Sequence, residues 1–275
     1  MDAAHMDESE FRLDETHEFL DHEMVRQMLQ GRRAGYVSRG AVAADDSKSI
    51  AANFLSITRR DRKDGVPARY VGAYHYGKTT AEYFEDIERE TTNLHQLFVE
   101  VDNPIERVIQ EIAAALMPFG LTLRPARYRG RAASQCIARR WTDDGSFSLR
   151  PHEDIAQLLS PLQEDFEIQK AASFSVIGVN VCVKKSCAGA DPVIWNLIPS
   201  HQMRVTHQTV GTGYPYPEAL IADVPRLDVK INEGDIYFLN SKCIHAVTRA
   251  TSPGERITLS FLMGQIDHNT VVYWT

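Results

Sequence analysis

Short runs in which apolar and polar residues alternate dominate the second half of the chain, and they predict β-strands. After Gly120 these runs follow one another closely, separated by turns rich in Gly, Asp and Pro. Many short strands joined by such turns are typical of a jelly roll or a related double-sheet barrel. The sequence therefore predicts a mainly β core over residues 121–275, with strands at 135–141, 146–150, 173–183, 192–197, 236–239, 245–250, 256–263 and 270–274.

The first 120 residues show helical periodicity instead. Apolar residues recur at helical spacing between 103 and 119, where Asn103 stands in the N-cap position, Pro104 opens the first turn and Glu106 is placed to complete a capping box. We expect a mixed, partly helical N-terminal part, residues 1–120, that packs on the core. The whole chain is then one compact unit without an independent second domain.

Four other segments carry weaker patterns. Residues 80–98 have an apolar stripe beside a strongly acidic face, which we interpret as exposed to solvent. Residues 70–76 resemble a strand, and residues 34–64 mix Gly, Ser, Ala and charged residues as a loop does. Residues 199–228 are too long for a plain connection, so we predict that they form a lid over a site.

Composition limits the classes of protein that are possible. The 275 residues suffice for one large domain, and 43% hydrophobic with 24% charged residues is ordinary for a globular protein. A net charge of -7 argues against a nucleic-acid partner and favours a small polar or organic molecule. The four cysteines are too few and too scattered for a disulfide framework, so we expect them to be reduced.

The N-terminal segment and the apolar runs bear on where in the cell the protein is found. The acidic N-terminus lacks the basic and apolar regions of a signal peptide, and no apolar run reaches transmembrane length. We therefore expect a soluble cytoplasmic enzyme without a membrane partner. No pattern in the sequence indicates its oligomeric state.

One constellation of residues carries chemistry. His152 and Asp154 are followed by His245 and, 11 residues later, by Arg256. On an extended strand, side chains two apart share a face, so His152 and Asp154 can point into a barrel together. Two imidazoles and one carboxylate on one side of a metal leave the opposite positions open, as a non-heme Fe(II) centre requires.

The strand that Arg256 opens predicts an anion site. Arg256, Thr258 and Ser260 share one face, whereas the residues between them are apolar. A guanidinium offers bidentate, charge-assisted hydrogen bonds to a carboxylate, and a neighbouring hydroxyl adds a further donor. We therefore predict that Arg256 and Thr258 anchor a cosubstrate carboxylate.

At these residues the chain resembles the iron(II)/2-oxoglutarate-dependent oxygenase superfamily, with its double-stranded β-helix core. The resemblance covers mainly residues 120–275, and segments 74–77 and 271–275 are similar to bacterial tailoring hydroxylases and halogenases that modify alkaloids and free amino acids. The segments that carry it are His152-Glu153-Asp154, residues 189–195, residues 233–240, Ile244-His245-Ala246-Val247, and Arg256 with Thr258.

The resemblance implies cofactors and roles. His152, Asp154 and His245 would hold Fe(II), 2-oxoglutarate would chelate the iron with its distal carboxylate on Arg256, and O₂ would take the remaining position. The expected products are succinate, CO₂ and a hydroxylated small molecule. Halogenases of this group have Gly or Ala in place of the carboxylate ligand, so Asp154 favours hydroxylation, or a related desaturation or rearrangement.

Three further residues are candidates for the cosubstrate site and the substrate pocket. Arg139, on the strand before His152, is expected to assist in binding 2-oxoglutarate; the other interpretation is a surface cation. His75 and Tyr76 are expected to line the substrate pocket, although a partly buried structural histidine fits the pattern as well. Two other functions remain open: a non-catalytic jelly roll that binds a metal or small ligand, and a metal-dependent hydrolase or isomerase.

Overall fold

Two facing β-sheets form the centre of the protein, and helices cover the outer face of the larger one. The computed structural model describes residues 3–57, 59–61, 68–141 and 147–275. In these ranges the strands are β1 (Leu13–His17), β2 (Gly35–Arg39), β3 (Arg60–Asp61), β4 (Ala68–Gly72), β5 (Thr122–Pro125), β6 (Arg127–Tyr128), β7 (Arg131–Ala132), β8 (Ile137–Trp141), β9 (Leu149–His152), β10 (Val176–Lys185), β11 (Pro192–Trp195), β12 (Arg226–Asp228), β13 (Ile236–Asn240), β14 (His245–Val247), β15 (Arg256–Gln265) and β16 (Thr270–Trp274).

Seven α-helices lie in the same ranges. Short 3₁₀ turns at Met117–Phe119, Pro161–Gln163 and Glu218–Leu220 accompany them. The helices are α1 (His22–Leu29), α2 (Ala44–Ser56), α3 (Thr80–Gln96), α4 (Pro104–Leu116), α5 (Ile155–Leu158), α6 (Ile168–Ala171) and α7 (His201–Thr206).

The strand order explains how a cavity forms between the sheets. The larger sheet runs β1-β2-β13-β10-β15-β8-β4-β3, and β16 joins β15 to β5. The smaller sheet runs β12-β11-β14-β9. Its strands alternate in the chain with those of the larger sheet, so successive segments cross between the two layers, as in a jelly roll. The predicted jelly-roll core is confirmed in this sense.

The alternation predicted for β15 separates two environments. Ile257, Leu259 and Phe261 are buried in the main hydrophobic core, together with apolar residues of α1, α2 and α4. The alternate residues on this strand, including Thr258 and Ser260, therefore face the other way, toward the smaller sheet. One face of the sheet thus anchors the helices, and the other is left for the site.

The N-terminal 120 residues are more closely interwoven with the sheet than the sequence indicated. The prediction of a loop over residues 34–64 is wrong, because β2 and α2 lie there. Strand β2 pairs with β13, and β4 pairs with β8, so both lie within the larger sheet. Each of these two strands is stabilised by pairing with a strand far away in the sequence, and local sequence patterns do not reveal such pairing.

Two predicted helices are present, with differences in detail. Helix α4 begins at Pro104 with Asn103 as its N-cap, but Glu106 does not complete a capping box; its carboxylate accepts a hydrogen bond from Gln135 at 3.4 Å. The acidic face of α3 was predicted to be exposed. Asp86 and Glu90 are instead buried and paired with cations, because Lys78 and Arg60 reach over them.

Other boundaries also differ from the expectations. The strand predicted at 70–76 ends at Gly72, and residues 73–76 continue as an irregular segment. The predicted lid, residues 199–228, contains α7, a 3₁₀ turn and β12. All four cysteines are buried, and none forms a disulfide bond. Within the described ranges, every helix is too short or too polar to cross a membrane.

Candidate active site

Strand pairing in the smaller sheet brings the two candidate histidines together. His152 ends β9 and His245 begins β14, and the two residues stand opposite each other in the antiparallel ladder. Their ring centroids are 4.1 Å apart. Oδ1 of Asp154 lies 4.0 Å from Nε2 of His152, and Oδ2 of Asp154 lies 3.5 Å from Nε2 of His245. One potential ligand atom from each of the three residues lies within 4.8 Å of the others.

The hydrogen bonds of the two imidazoles are made by Nδ1, and Nε2 of each ring faces Asp154. Nδ1 of His152 is 2.8 Å from the carbonyl oxygen of Arg150, and Nδ1 of His245 is 3.0 Å from that of Cys243. A carbonyl only accepts hydrogen bonds, so each Nδ1 carries the proton and each Nε2 presents a lone pair. This arrangement fixes the tautomer that binds a metal through Nε2.

Asp154 reaches the histidines by a turn, not along an extended strand as predicted. Strand β9 ends at His152, and Asp154 is the residue before α5, with φ -101° and ψ -2°. Gln157, one helical turn later, donates to Oδ1 of Asp154 at 2.6 Å. Burial alone would raise the pKa of Asp154, but the two imidazoles and the Ser241 hydroxyl outweigh it, so the pKa lies below its usual range.

Glu153 points away from the two neighbouring ligand candidates and into the protein. Its carboxylate accepts hydrogen bonds from the backbone N–H groups of Ile155 at 2.6 Å and Ala156 at 3.0 Å, and so caps α5. Its other oxygen accepts from Nε of Arg204 on α7 at 2.9 Å, and its side chain is fully buried. The connection between His152 and Asp154 is therefore fixed by an ion pair to the predicted lid.

The backbone of the predicted lid is bound to the same connection. The N–H of Glu153 donates to the carbonyl of Gly213 at 3.0 Å, and the N–H of Tyr216 donates to the carbonyl of Pro151 at 2.8 Å. Gly213 has φ +66°, and a Cβ there would overlap the carbonyl oxygen of Glu153. Only glycine fits this contact without displacing the backbone.

A cavity of about 140 Å³ opens beside these residues, between the two sheets. The smaller sheet contributes the histidines, and the larger sheet contributes the opposite wall. The segment after β4 and the predicted lid close the sides. Its polar lining includes His75, Arg139, Asp154, Asn180, Tyr214, Tyr237 and Ser260.

Arg256 provides a buried cation in the same interior. It is 1% exposed, donates to the hydroxyl of Tyr237 at 2.6 Å, and lies 5.5 Å from the ring centroid of Trp141. Its Nε and Nη1 have no hydrogen-bond partner among the described residues. A buried guanidinium with unused donors is costly unless an anion pairs with it, so these atoms fit a bound carboxylate.

Thr258 and Arg139 lie opposite each other on β15 and β8. The hydroxyl oxygen of Thr258 accepts a hydrogen bond from the indole of Trp141 at 3.0 Å, which positions the ring that packs against Arg256. Nη1 of Arg139 donates to the hydroxyl of Ser260 at 3.0 Å. The Cζ atom of Arg139 lies 6.0 Å from the ring centroid of Trp141, the ring that Arg256 also approaches, and Arg139 borders the cavity.

His75 and Tyr76 lie at the other side of the cavity. His75 is 2% exposed, and burial lowers its pKa to about 4. Tyr76 packs edge-on against Tyr214 of the predicted lid, at 6.4 Å between ring centroids, and Tyr214 packs edge-on against His152 at 6.0 Å. An aromatic wall therefore leads from the N-terminal segment to the metal-binding candidates.

Four residues of the site were not predicted. Tyr237 and Trp141 hold Arg256, Gln157 holds Asp154, and Arg204 holds Glu153. The position of Gln157, three residues after Asp154, would have indicated the contact had a helix been expected there. The other contacts join distant segments and have no local signal.

Comparison with known proteins places this geometry in a family. No model of a known protein family matches the sequence. The chain is 30% identical to an L-isoleucine 3(1)-dioxygenase of Pantoea ananatis, and the alignment covers 96% of this chain and 92% of that protein.

Solved structures share the fold. An N-substituted L-amino acid dioxygenase from Burkholderia ambifaria matches with a TM-score of 0.56 and 15% identity, over 92% of this chain and 91% of that one. HygX from Streptomyces hygroscopicus, solved with nickel and 2-oxoglutarate, matches with a TM-score of 0.50 and 13% identity, over 90% and 87%. Together with the near full-length relative, this likeness shows that the chain belongs to the iron(II)/2-oxoglutarate-dependent dioxygenases, whose cofactors are Fe(II), 2-oxoglutarate and O₂.

Proposed function

We propose that this protein hydroxylates an unactivated carbon of a free aliphatic amino acid. Bound iron, with 2-oxoglutarate and O₂, supplies the oxidation: R–H, 2-oxoglutarate and O₂ give R–OH, succinate and CO₂. The relative of Pantoea ananatis is named as acting on L-isoleucine, which makes that amino acid the first substrate to test. A cavity of about 140 Å³ suits a small molecule.

The observation that carries the proposal is the convergence of two imidazoles and one carboxylate at a cavity. Tyr237 and Trp141 line the same cavity and contact a buried, incompletely paired guanidinium, that of Arg256. We assign His152, Asp154 and His245 as the iron ligands, because one ligand atom of each lies within 4.8 Å of the others and the Nδ1 hydrogen bonds leave each Nε2 with its lone pair. Three protein ligands leave three of six positions for the cosubstrate and O₂. A hydrolase would have no use for the guanidinium.

Arg256 is assigned to the distal carboxylate of 2-oxoglutarate. Its Nε and Nη1 both lack a partner among the described residues, so each can donate a hydrogen bond to a bound anion, and the Tyr237 hydroxyl beside the guanidinium can donate a further one. Thr258 contributes indirectly, because its hydroxyl holds the Trp141 ring against the guanidinium. Burial excludes water from this pair and strengthens it.

Asp154 favours hydroxylation over halogenation. A carboxylate in this position fills the coordination site that a halide would need, and the Gln157 amide holds it in place. Because Asp154 is buried beside both imidazoles, it is ordered before the metal binds. Such preorganisation keeps the reacting centre in one geometry.

The test is aerobic incubation of the Fe(II)-loaded protein with 2-oxoglutarate and L-isoleucine, followed by mass spectrometry. We expect succinate and an amino acid heavier by one oxygen atom, in equal amounts. Asp154→Ala is the matched negative control. Succinate without an oxygenated product from any member of a panel of aliphatic amino acids would refute the proposed substrate class.

A further inference from the structure

We propose that His75 accepts a hydrogen bond from the α-amino group of the substrate, and that Arg139 binds the substrate carboxylate. The inference rests on the proposed function, since it concerns an amino acid in the same cavity. It makes His75 a residue that determines specificity. It also assigns Arg139 to the substrate, where the sequence had suggested 2-oxoglutarate.

The main chain of His75 is held by two separate segments. Its N–H donates to the carbonyl of Thr275 at 3.0 Å, and its carbonyl accepts from the side chain of Gln163 at 3.3 Å. Its ring packs edge-on against Tyr83, with 6.4 Å between centroids. The imidazole is therefore fixed before a ligand arrives, which reduces the entropy lost on binding.

The ring of His75 lacks the hydrogen bonds that a buried imidazole requires. It is 2% exposed, and neither ring nitrogen has a hydrogen-bond partner among the described residues. Leaving a buried polar group unpaired costs free energy, and such groups in native proteins generally have a reason. Because His75 borders the cavity, a polar group of the ligand can supply the missing hydrogen bond.

Charge and protonation indicate which group of the ligand it meets. Burial keeps His75 neutral near pH 7, so one ring nitrogen is a hydrogen-bond acceptor. The acidic side chains that border the cavity are Asp154 and Glu153. Asp154 is assigned to the metal and Glu153 is paired with Arg204. A substrate ammonium group is thus left with neutral acceptors, and among these the His75 ring and the Ser241 hydroxyl lack a partner in the described residues. The main chain of Ser241 is hydrogen-bonded to Asp154 at the candidate metal site, which leaves the His75 ring for the ammonium group.

Arg139 is placed for the other end of the amino acid head group. Its guanidinium donates to Ser260, four residues beyond Arg256 on β15, a separation of about 13 Å along a strand. The neighbouring residue of β8 that faces the same way, Ile137, packs with Tyr74 and Tyr76. Arg139 therefore lies between the Trp141 ring, whose centroid is 6.0 Å from its Cζ, and the aromatic segment that carries His75.

The experiment compares L-isoleucine with 3-methylpentanoic acid, which is the same molecule without the amino group. Product formation is measured by mass spectrometry for the Fe(II)-loaded wild type, His75→Leu and His75→Gln. A hydrogen bond to a charged group corresponds to roughly a 10- to 100-fold effect. We expect the wild type to prefer L-isoleucine, His75→Leu to lose about that factor with L-isoleucine alone, and His75→Gln to recover part of it.

Several outcomes separate this inference from the proposed function. If His75→Leu lowers kcat/KM for both compounds equally, or keeps the wild-type preference, the assignment of His75 is wrong although the proposed function stands. If the wild type oxidises no amino acid, both fail. A charge-transfer titration of the variant with 2-oxoglutarate tells a damaged cofactor site from a damaged substrate site.

Arg139 is tested with Arg139→Met in the same assays. We expect the KM for L-isoleucine to rise at least about 10-fold, with the dissociation constant of 2-oxoglutarate little changed. A rise in the 2-oxoglutarate dissociation constant without a change in the KM for L-isoleucine would return Arg139 to the cosubstrate and overturn this part of the inference.

Discussion

We expect that replacing Arg204 by methionine lowers the stability of the protein, although Arg204 is not a candidate metal ligand. The change leaves the buried carboxylate of Glu153 without its cation. Breaking one side of a buried ion pair costs about 3–5 kcal/mol. Two backbone N–H groups still bind the same carboxylate, so we expect the lower end of the range, about 3 kcal/mol.

The free energy of unfolding is measured by urea denaturation of the metal-free protein. A loss of about 3 kcal/mol corresponds to a fall in Tm of roughly 6–12 °C for a chain of this size. It is also a large part of the typical total stability of about 5–15 kcal/mol. The double variant Arg204→Met with Glu153→Gln is the control, because it removes the unpaired charge as well as its partner.

The double variant should be more stable than Arg204→Met alone, since a neutral amide tolerates burial better than a carboxylate does. An unfolding free energy for Arg204→Met within about 0.5 kcal/mol of the wild type, the usual size of a neutral surface effect, would show that the ion pair with Glu153 does not stabilise the fold. Equal losses in the single and double variants would assign the effect to lost packing instead of charge.

Three further predictions concern other contacts. Arg256→Met should raise the dissociation constant of 2-oxoglutarate about 100-fold, measured by anaerobic titration, because two unused donors are lost; an unchanged constant would rule out this anchor. Tyr237→Phe should raise the dissociation constant of 2-oxoglutarate only about 10-fold, since the guanidinium stays in place. A larger increase than for Arg256→Met would show that Tyr237, and not Arg256, is the main anchor. Gly213→Ala should lower Tm by several degrees, because its Cβ overlaps a backbone carbonyl, and an unchanged Tm would show that the loop moves freely.

Local patterns in the sequence predicted the parts of this protein that depend on local physics. The two-residue alternation in β15 separated Ile257 and Leu259 from Thr258 and Ser260, and the structure has the apolar pair in the core. The positions of turn residues predicted the bounds of most of the later strands to within a few residues. The helix at Pro104–Leu116 followed from its period and its cap.

The contacts that position the candidate site could not be predicted in the same way. Asp154 was expected on a strand, but the backbone turns after His152 because Glu153 caps α5 and pairs with Arg204, about fifty residues later in the chain. The assignment of Asp86 to an exposed face failed because two cations from outside its helix, Lys78 and Arg60, also pair with it. Such contacts are set by tertiary structure, and helical or strand periodicity contains no information about them.

The most direct test of the central claim is an anaerobic titration of the protein with Fe(II) and 2-oxoglutarate, followed by O₂. We expect a metal-to-ligand charge-transfer band that O₂ discharges with formation of succinate. Asp154→Ala or His245→Ala should weaken or remove this band. A wild type that forms no such band, or variants that form it with unchanged affinity, would contradict the assignment of His152, Asp154 and His245 as the iron ligands.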